Sequence, residues 1–154
     1  MWKKIKIYVI SVLISLGVGG LSALLTKNNM EIYSSINRPP LSPPSFLFPI
    51  VWTILFILMG ISAAIIYKSH SPLRRSALRV YIVQLIFNFL WTLIFFNVQA
   101  YTFASVWIIA LLALIVFMII KFYKIKPLAA YLQIPYLLWV TFASYLTIAI
   151  AVLN

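Results

Sequence analysis

Apolar residues run through this chain in five long blocks, at about residues 5–25, 46–67, 77–96, 101–122 and 128–153. Each block meets the roughly 20 residues that a helix needs to cross the hydrocarbon of a bilayer. The connectors after the second, third and fourth blocks are short, so consecutive helices are expected to be antiparallel neighbours. The pattern predicts an all-α membrane protein, a single domain built as a bundle of five transmembrane helices.

The first connector, residues 27–45, is different. Pro39, Pro40, Pro43 and Pro44 crowd into six positions, fixing φ and removing backbone donors, so this segment is stiff and not helical. It feeds directly into the second span, which carries Phe48, Trp52 and Phe56 at four-residue spacing. A rigid lid over a ligand pocket needs such a segment. A linker that only spaces two helices needs no more.

Inside the spans, the polar and aromatic positions fall into stripes. Ser11, Ser15, Gly19 and Ala23 recur every four residues in the first span and would let another helix approach closely. In the third, Gln84, Asn88, Trp91 and Phe95 share one face. An amide in hydrocarbon must find partners, so Gln84 and Asn88 face the bundle interior or a cavity, as interhelical hydrogen bonds or as contacts to a ligand. In the fifth, Tyr131, Pro135, Trp139 and Ala143 share a face with Phe142 beside them, and Pro135 is expected to bend the helix. Trp52 and Trp139 lie well inside their spans, away from the interface where tryptophan usually gathers. Spans two, three and five are therefore expected to share an aromatic cavity, unless the stripes serve packing alone.

Composition sharpens this picture. With 65% hydrophobic and 8% charged residues, the chain has lipid as its main solvent. The net charge of +11 sits in short clusters between apolar runs, which orients a membrane protein and gives no nucleic-acid face. Lys3, Lys4, Lys6, Lys68, Arg74, Arg75, Arg79, Lys121, Lys124 and Lys126 fall on one side, and only Lys27 and Arg38 on the other. That bias predicts a cytoplasmic N-terminus, with the lid segment and the C-terminus outside. The first apolar run is too long for a signal peptide and lacks a small-residue cleavage site.

Several chemistries are excluded. There is no Cys, the only acid is Glu31 and the only histidine is His70. Thiolate ligation, carboxylate pairs, nucleophilic triads and ordinary metal sites have no residues to build them, and no metal is expected. An ion-coupled exporter lacks an intramembrane carboxylate.

The blocks Tyr33 to Pro44, Phe48–Leu55, Met59-Gly60, Gln84-Leu85, Asn88–Trp91, Phe95-Phe96 and Pro135–Ala143 occur in the order and on the spans that resemble the TspO/MBR family. That family comprises tryptophan-rich sensory proteins and the mitochondrial translocator, or peripheral benzodiazepine receptor. The resemblance implies a homodimer of five-helix bundles in a membrane, here the bacterial plasma membrane. It implies a pocket beneath the first connector that binds tetrapyrroles such as protoporphyrin IX, and synthetic benzodiazepine or isoquinoline carboxamide ligands. Some bacterial members promote light- and oxygen-dependent porphyrin breakdown. No further cofactor is implied. Carried over by position, the ligand-binding residues are Tyr33, Arg38, Pro39, Pro43, Pro44, Phe56, Gln84, Asn88, Trp91, Phe142 and Ala143. Trp52 and Trp139 are the candidate catalytic pair. Departures from the family pattern are Ile32 for the usual Trp, Arg38 for Lys and Thr147 for Asn. The cholesterol-recognition pattern is incomplete, because no basic residue follows Tyr145. A non-catalytic sensor or a carrier of apolar ligands is the alternative function.

Overall fold

A computed structural model describes residues 2–29, 32–44 and 46–154, the side chains of Ile32 and Ser34 apart; Glu31 lies outside the described residues. The helices are α1 (Trp2–Thr26), the single turn α2 (Ile32–Ser35), α3 (Leu47–Lys68), α4 (Arg74–Leu93), α5 (Tyr101–Ile125), α6 (Pro127–Leu132) and α7 (Ile134–Leu153). Five spans are long and apolar enough to cross a membrane: α1, α3, α4 with the turn that closes it, α5, and α6 with α7. In hydrocarbon every backbone group must be satisfied within its own segment, which makes the helix the only open-ended solution. Exposed hydroxyls obey the same demand: Thr53 donates to the Pro49 carbonyl at 2.6 Å and Thr141 to the Leu137 carbonyl at 2.8 Å.

The small-residue stripe of α1 is the seam against α3. Ser11 Oγ donates to the Gly60 carbonyl at 2.7 Å and Ser15 Oγ to the Phe56 carbonyl at 2.6 Å. A Cβ on Gly60 would stand 2.5 Å from Val12 Cα, and one on Gly19 would stand 2.5 Å from the Phe56 ring. Backbone meets backbone at Gly60, where no larger residue fits.

Around the bundle, α1 packs on α3 and α4, α4 on α5, and α5 on α7, while α6 closes the ring against α3. Ser62 Oγ of α3 donates to the Ala129 carbonyl of α6 at 2.7 Å, between alanines that keep the two backbones close. Trp107 of α5 stacks on Phe87 of α4 at 4.4 Å and donates to its carbonyl at 2.9 Å. Helices α3 and α7 keep their backbones apart and meet through side chains.

The last span is two helices. The break falls at Gln133, not at Pro135 as the sequence pattern suggests. Pro135 occupies the first turn of α7, where a missing N–H costs nothing. The break also changes which residues share a face. Tyr131 is exposed, against Tyr123 at 6.1 Å, and Pro135 is exposed too. Helix α4 ends in a wide π turn, Ile94–Val98, which buries both Phe95 and Phe96 before Gln99 reverses the chain at φ 58°.

Candidate functional site

Between the splayed ends of α1, α3, α4 and α7 lies a cavity of about 290 Å³, roofed from the lid side. Gly19, Ser22, Ala23 and Thr26 line it from α1; Phe48, Pro49, Trp52 and Phe56 from α3. From α4 and its π turn come Asn88, Trp91, Thr92, Phe95 and Phe96; from α7, Trp139, Ala143, Leu146 and Thr147; Lys27 and Tyr33 complete it above. None of these belongs to α5.

Aromatic rings make a continuous wall. Tyr33 meets Phe48 edge-on at 5.0 Å, Phe48 meets Trp139 at 5.9 Å, and Trp139 stands perpendicular to Trp52 at 6.4 Å. Trp52 then reaches Phe56 at 5.7 Å and Tyr136 at 6.2 Å. On the facing side Trp91 stacks on Phe95 at 5.4 Å. Such rings offer flat, polarisable surfaces to an aromatic ligand. The indole nitrogens of Trp91 and Trp139 are buried with no acceptor among the described residues.

Polar groups lie beneath this wall. Asn88 Nδ2 donates to the Tyr136 hydroxyl at 2.8 Å, and that hydroxyl donates to Gln84 Oε1 at 2.7 Å. Gln84 is fully buried and lies behind the cavity lining. It serves as interhelical glue. Asn88 does both jobs, because it lines the cavity and leaves Oδ1 without a protein partner among the described residues. Thr147 turns its hydroxyl to the Ala143 carbonyl at 2.7 Å, so only its apolar part is left for the cavity.

The connector is a fastened roof. Tyr33, buried, donates to the Pro43 carbonyl at 2.9 Å, and the Arg38 guanidinium lies 4.8 Å from its ring centroid. Tyr145 of α7 donates to the Pro40 carbonyl at 2.9 Å. Asn37 N–H donates to Asn154 Oδ1 at 3.3 Å, and Asn154 Nδ2 to the Asn37 carbonyl at 2.8 Å. Leu41 takes a positive φ of 72° between the proline pairs, a conformation costly for a leucine by roughly 1–2 kcal/mol.

Of the residues singled out by sequence, Tyr33, Trp52, Phe56, Asn88, Trp91, Trp139 and Ala143 meet at the cavity. Arg38, Pro39, Pro43, Pro44, Gln84 and Phe142 do not line it. Pro39 and Pro43 are buried within the roof, Pro44 is exposed, and Phe142 packs beside Trp139 at 5.7 Å. Sequence reasoning missed the α1 wall and Lys27. Its signal was the pair Ser22 and Thr26 extending the stripe of small residues by one more turn.

The TspO/MBR family model matches residues 10–153. The Tryptophan-rich protein TspO of Chlorobaculum tepidum is 35% identical over 147 residues, covering 94% of this chain and 92% of that protein. The Tryptophan-rich sensory protein of Cereibacter sphaeroides is 32% identical over 124 residues, 80% of this chain and 77% of that one. The bovine Translocator protein is 30% identical over 136 residues, 86% and 80% respectively. With five membrane-crossing helices, an aromatic cavity beneath a proline-rich roof and a match spanning nearly its whole length, the chain is an integral membrane protein of the TspO/MBR family.

Proposed function

We propose that the cavity binds a tetrapyrrole, protoporphyrin IX, and promotes its breakdown under light and oxygen. The observation that supports this most is the perpendicular pair Trp52 and Trp139, 6.4 Å apart on the cavity wall. The macrocycle stacks on the rings, with the Asn88 amide beside its buried edge. Light excites the porphyrin, which passes its energy to dioxygen. The activated dioxygen adds across a methine-bridge double bond, and that bond breaks to leave two carbonyl groups. Both oxygen atoms end in the product, so no reductant or acid–base residue is required. Trp52 and Trp139 confine the reacting edge and are the oxidisable side chains nearest to it.

A second reading is a receptor or carrier without turnover, favoured by one observation. The roof is tied to α7 through Asn37, Pro40, Tyr145 and Asn154, so a ligand that lifts it changes the outer surface. Benzodiazepine and isoquinoline carboxamide compounds would fill the same cavity. The protein is proposed to act as a homodimer in the plasma membrane, its roof facing away from the cytoplasm as the basic residues at the other end direct.

Titrating detergent-solubilised protein with protoporphyrin IX tests the choice, with tryptophan fluorescence followed in the dark and porphyrin absorption under light. Saturable quenching and protein-dependent bleaching to a discrete product support breakdown. Quenching with no bleaching beyond that of free porphyrin supports the receptor. No saturable quenching removes the tetrapyrrole reading.

A further inference from the structure

Most polar groups at the cavity are already engaged. The hydroxyls of Ser22, Thr26 and Thr147 bond carbonyls of their own helices. One charged residue lines the cavity: Lys27, the first residue beyond α1. It is exposed and has no hydrogen-bond, ion-pair or aromatic partner among the described residues. Arg38, the other basic residue at this end, instead sits over Tyr33 and does not reach the lining.

A lysine in this position covers apolar wall with its methylene stem and keeps its ammonium at the wet rim. Beside a low-dielectric cavity that charge is less screened than one on an open surface. We infer that Lys27 recognises a carboxylate on the rim of the ligand, so that the cavity selects flat apolar molecules carrying an acid at one edge. This rests on the tetrapyrrole reading and extends it by fixing the orientation: the propionate edge faces the roof and the vinyl edge faces Asn88. The volume agrees. A cavity of about 290 Å³ is at the small end for drug-sized ligands, so a substituted macrocycle keeps its charged edge at the mouth.

The test compares protoporphyrin IX with its dimethyl ester, each titrated by tryptophan quenching against the full chain in non-ionic detergent. The wild type is expected to bind the diacid about five- to tenfold more tightly, as a charge-assisted contact at a partly wet site provides. Lys27→Gln should lose that preference by weakening the diacid alone, Lys27→Arg should keep it, and added salt should erode it. A wild type that binds both forms equally overturns the inference and leaves the tetrapyrrole reading standing. A wild type that binds neither removes both. If Lys27→Gln weakens diacid and ester alike, the stem acts only as packing and the inference fails. A loss that appears only in phospholipid vesicles, equal for both forms, assigns the ammonium to lipid phosphate and also overturns it.

Discussion

Asn37 and Asn154 hold each other through a reciprocal pair of hydrogen bonds, backbone of the first to side chain of the second in both directions. Together with Tyr145 on Pro40 they fasten the roof to α7. Each exposed bond is worth about 0.5–1.5 kcal/mol. Asn154→Ala combined with Tyr145→Phe should therefore accelerate ligand dissociation by about fivefold or more, with melting temperature little changed. Stopped-flow recovery of tryptophan fluorescence reads the rate. An unchanged rate would mean that ligands leave by another route, between helices.

Gly60 and Gly19 separate stability from binding. At Gly60 an added methyl meets the backbone of α1, which cannot yield locally, so Gly60→Ala should cost about 1–3 kcal/mol and lower the melting temperature in detergent. At Gly19 the obstacle is the Phe56 ring, which can turn toward the cavity that it lines. Gly19→Ala should thus weaken ligand binding more than it weakens the fold. Equal melting losses for the two variants would contradict this division.

Replacing Trp52 and Trp139 together by Phe keeps an aromatic wall but removes two of the three indoles that line the cavity, leaving Trp91. Porphyrin affinity should fall by less than about tenfold, since phenyl rings retain most of the stacking, while the photoproduct spectrum changes. An unchanged spectrum would leave the indoles as walls only.

The Tyr136 hydroxyl accepts from Asn88 and donates to Gln84, so Tyr136→Phe strands two buried amide atoms at once. A loss of about 1–3 kcal/mol is expected, read as a lower melting temperature. Gln133 is the opposite case. Both atoms of its amide are buried with no partner among the described residues, at the turn between α6 and α7. Gln133→Leu removes the unsatisfied groups and should raise the melting temperature. A fall instead would reveal an internal water bound there.

The contrast between α3 and α7 shows what was legible from sequence. The stripe Phe48, Trp52 and Phe56 lies on an unbroken helix, so four-residue spacing translated directly into one cavity wall. The stripe Tyr131, Pro135, Trp139 and Ala143 crosses the Gln133 break, and only its second half reaches the cavity. Periodicity holds only while the helix does, and a turn with no glycine gives little warning. Ser22 and Thr26 gave only their spacing as a signal, for another reason. Their hydroxyls bond their own helix, so nothing in their chemistry points to a site. Their place in the wall comes from the seam that draws α1 against α3.

Below the cavity, the Ser11–Gly60 contact of that seam and the junction of α6 with α3 bring backbones together, while beside the cavity α3 and α7 meet through aromatic rings. The lower bundle is thus held by backbone contacts and the cavity by side chains. A guest of different width is expected to be met by turning rings and not by repacking the backbone seam. A wall of rings grades its ligands by thickness and rim chemistry more than by outline.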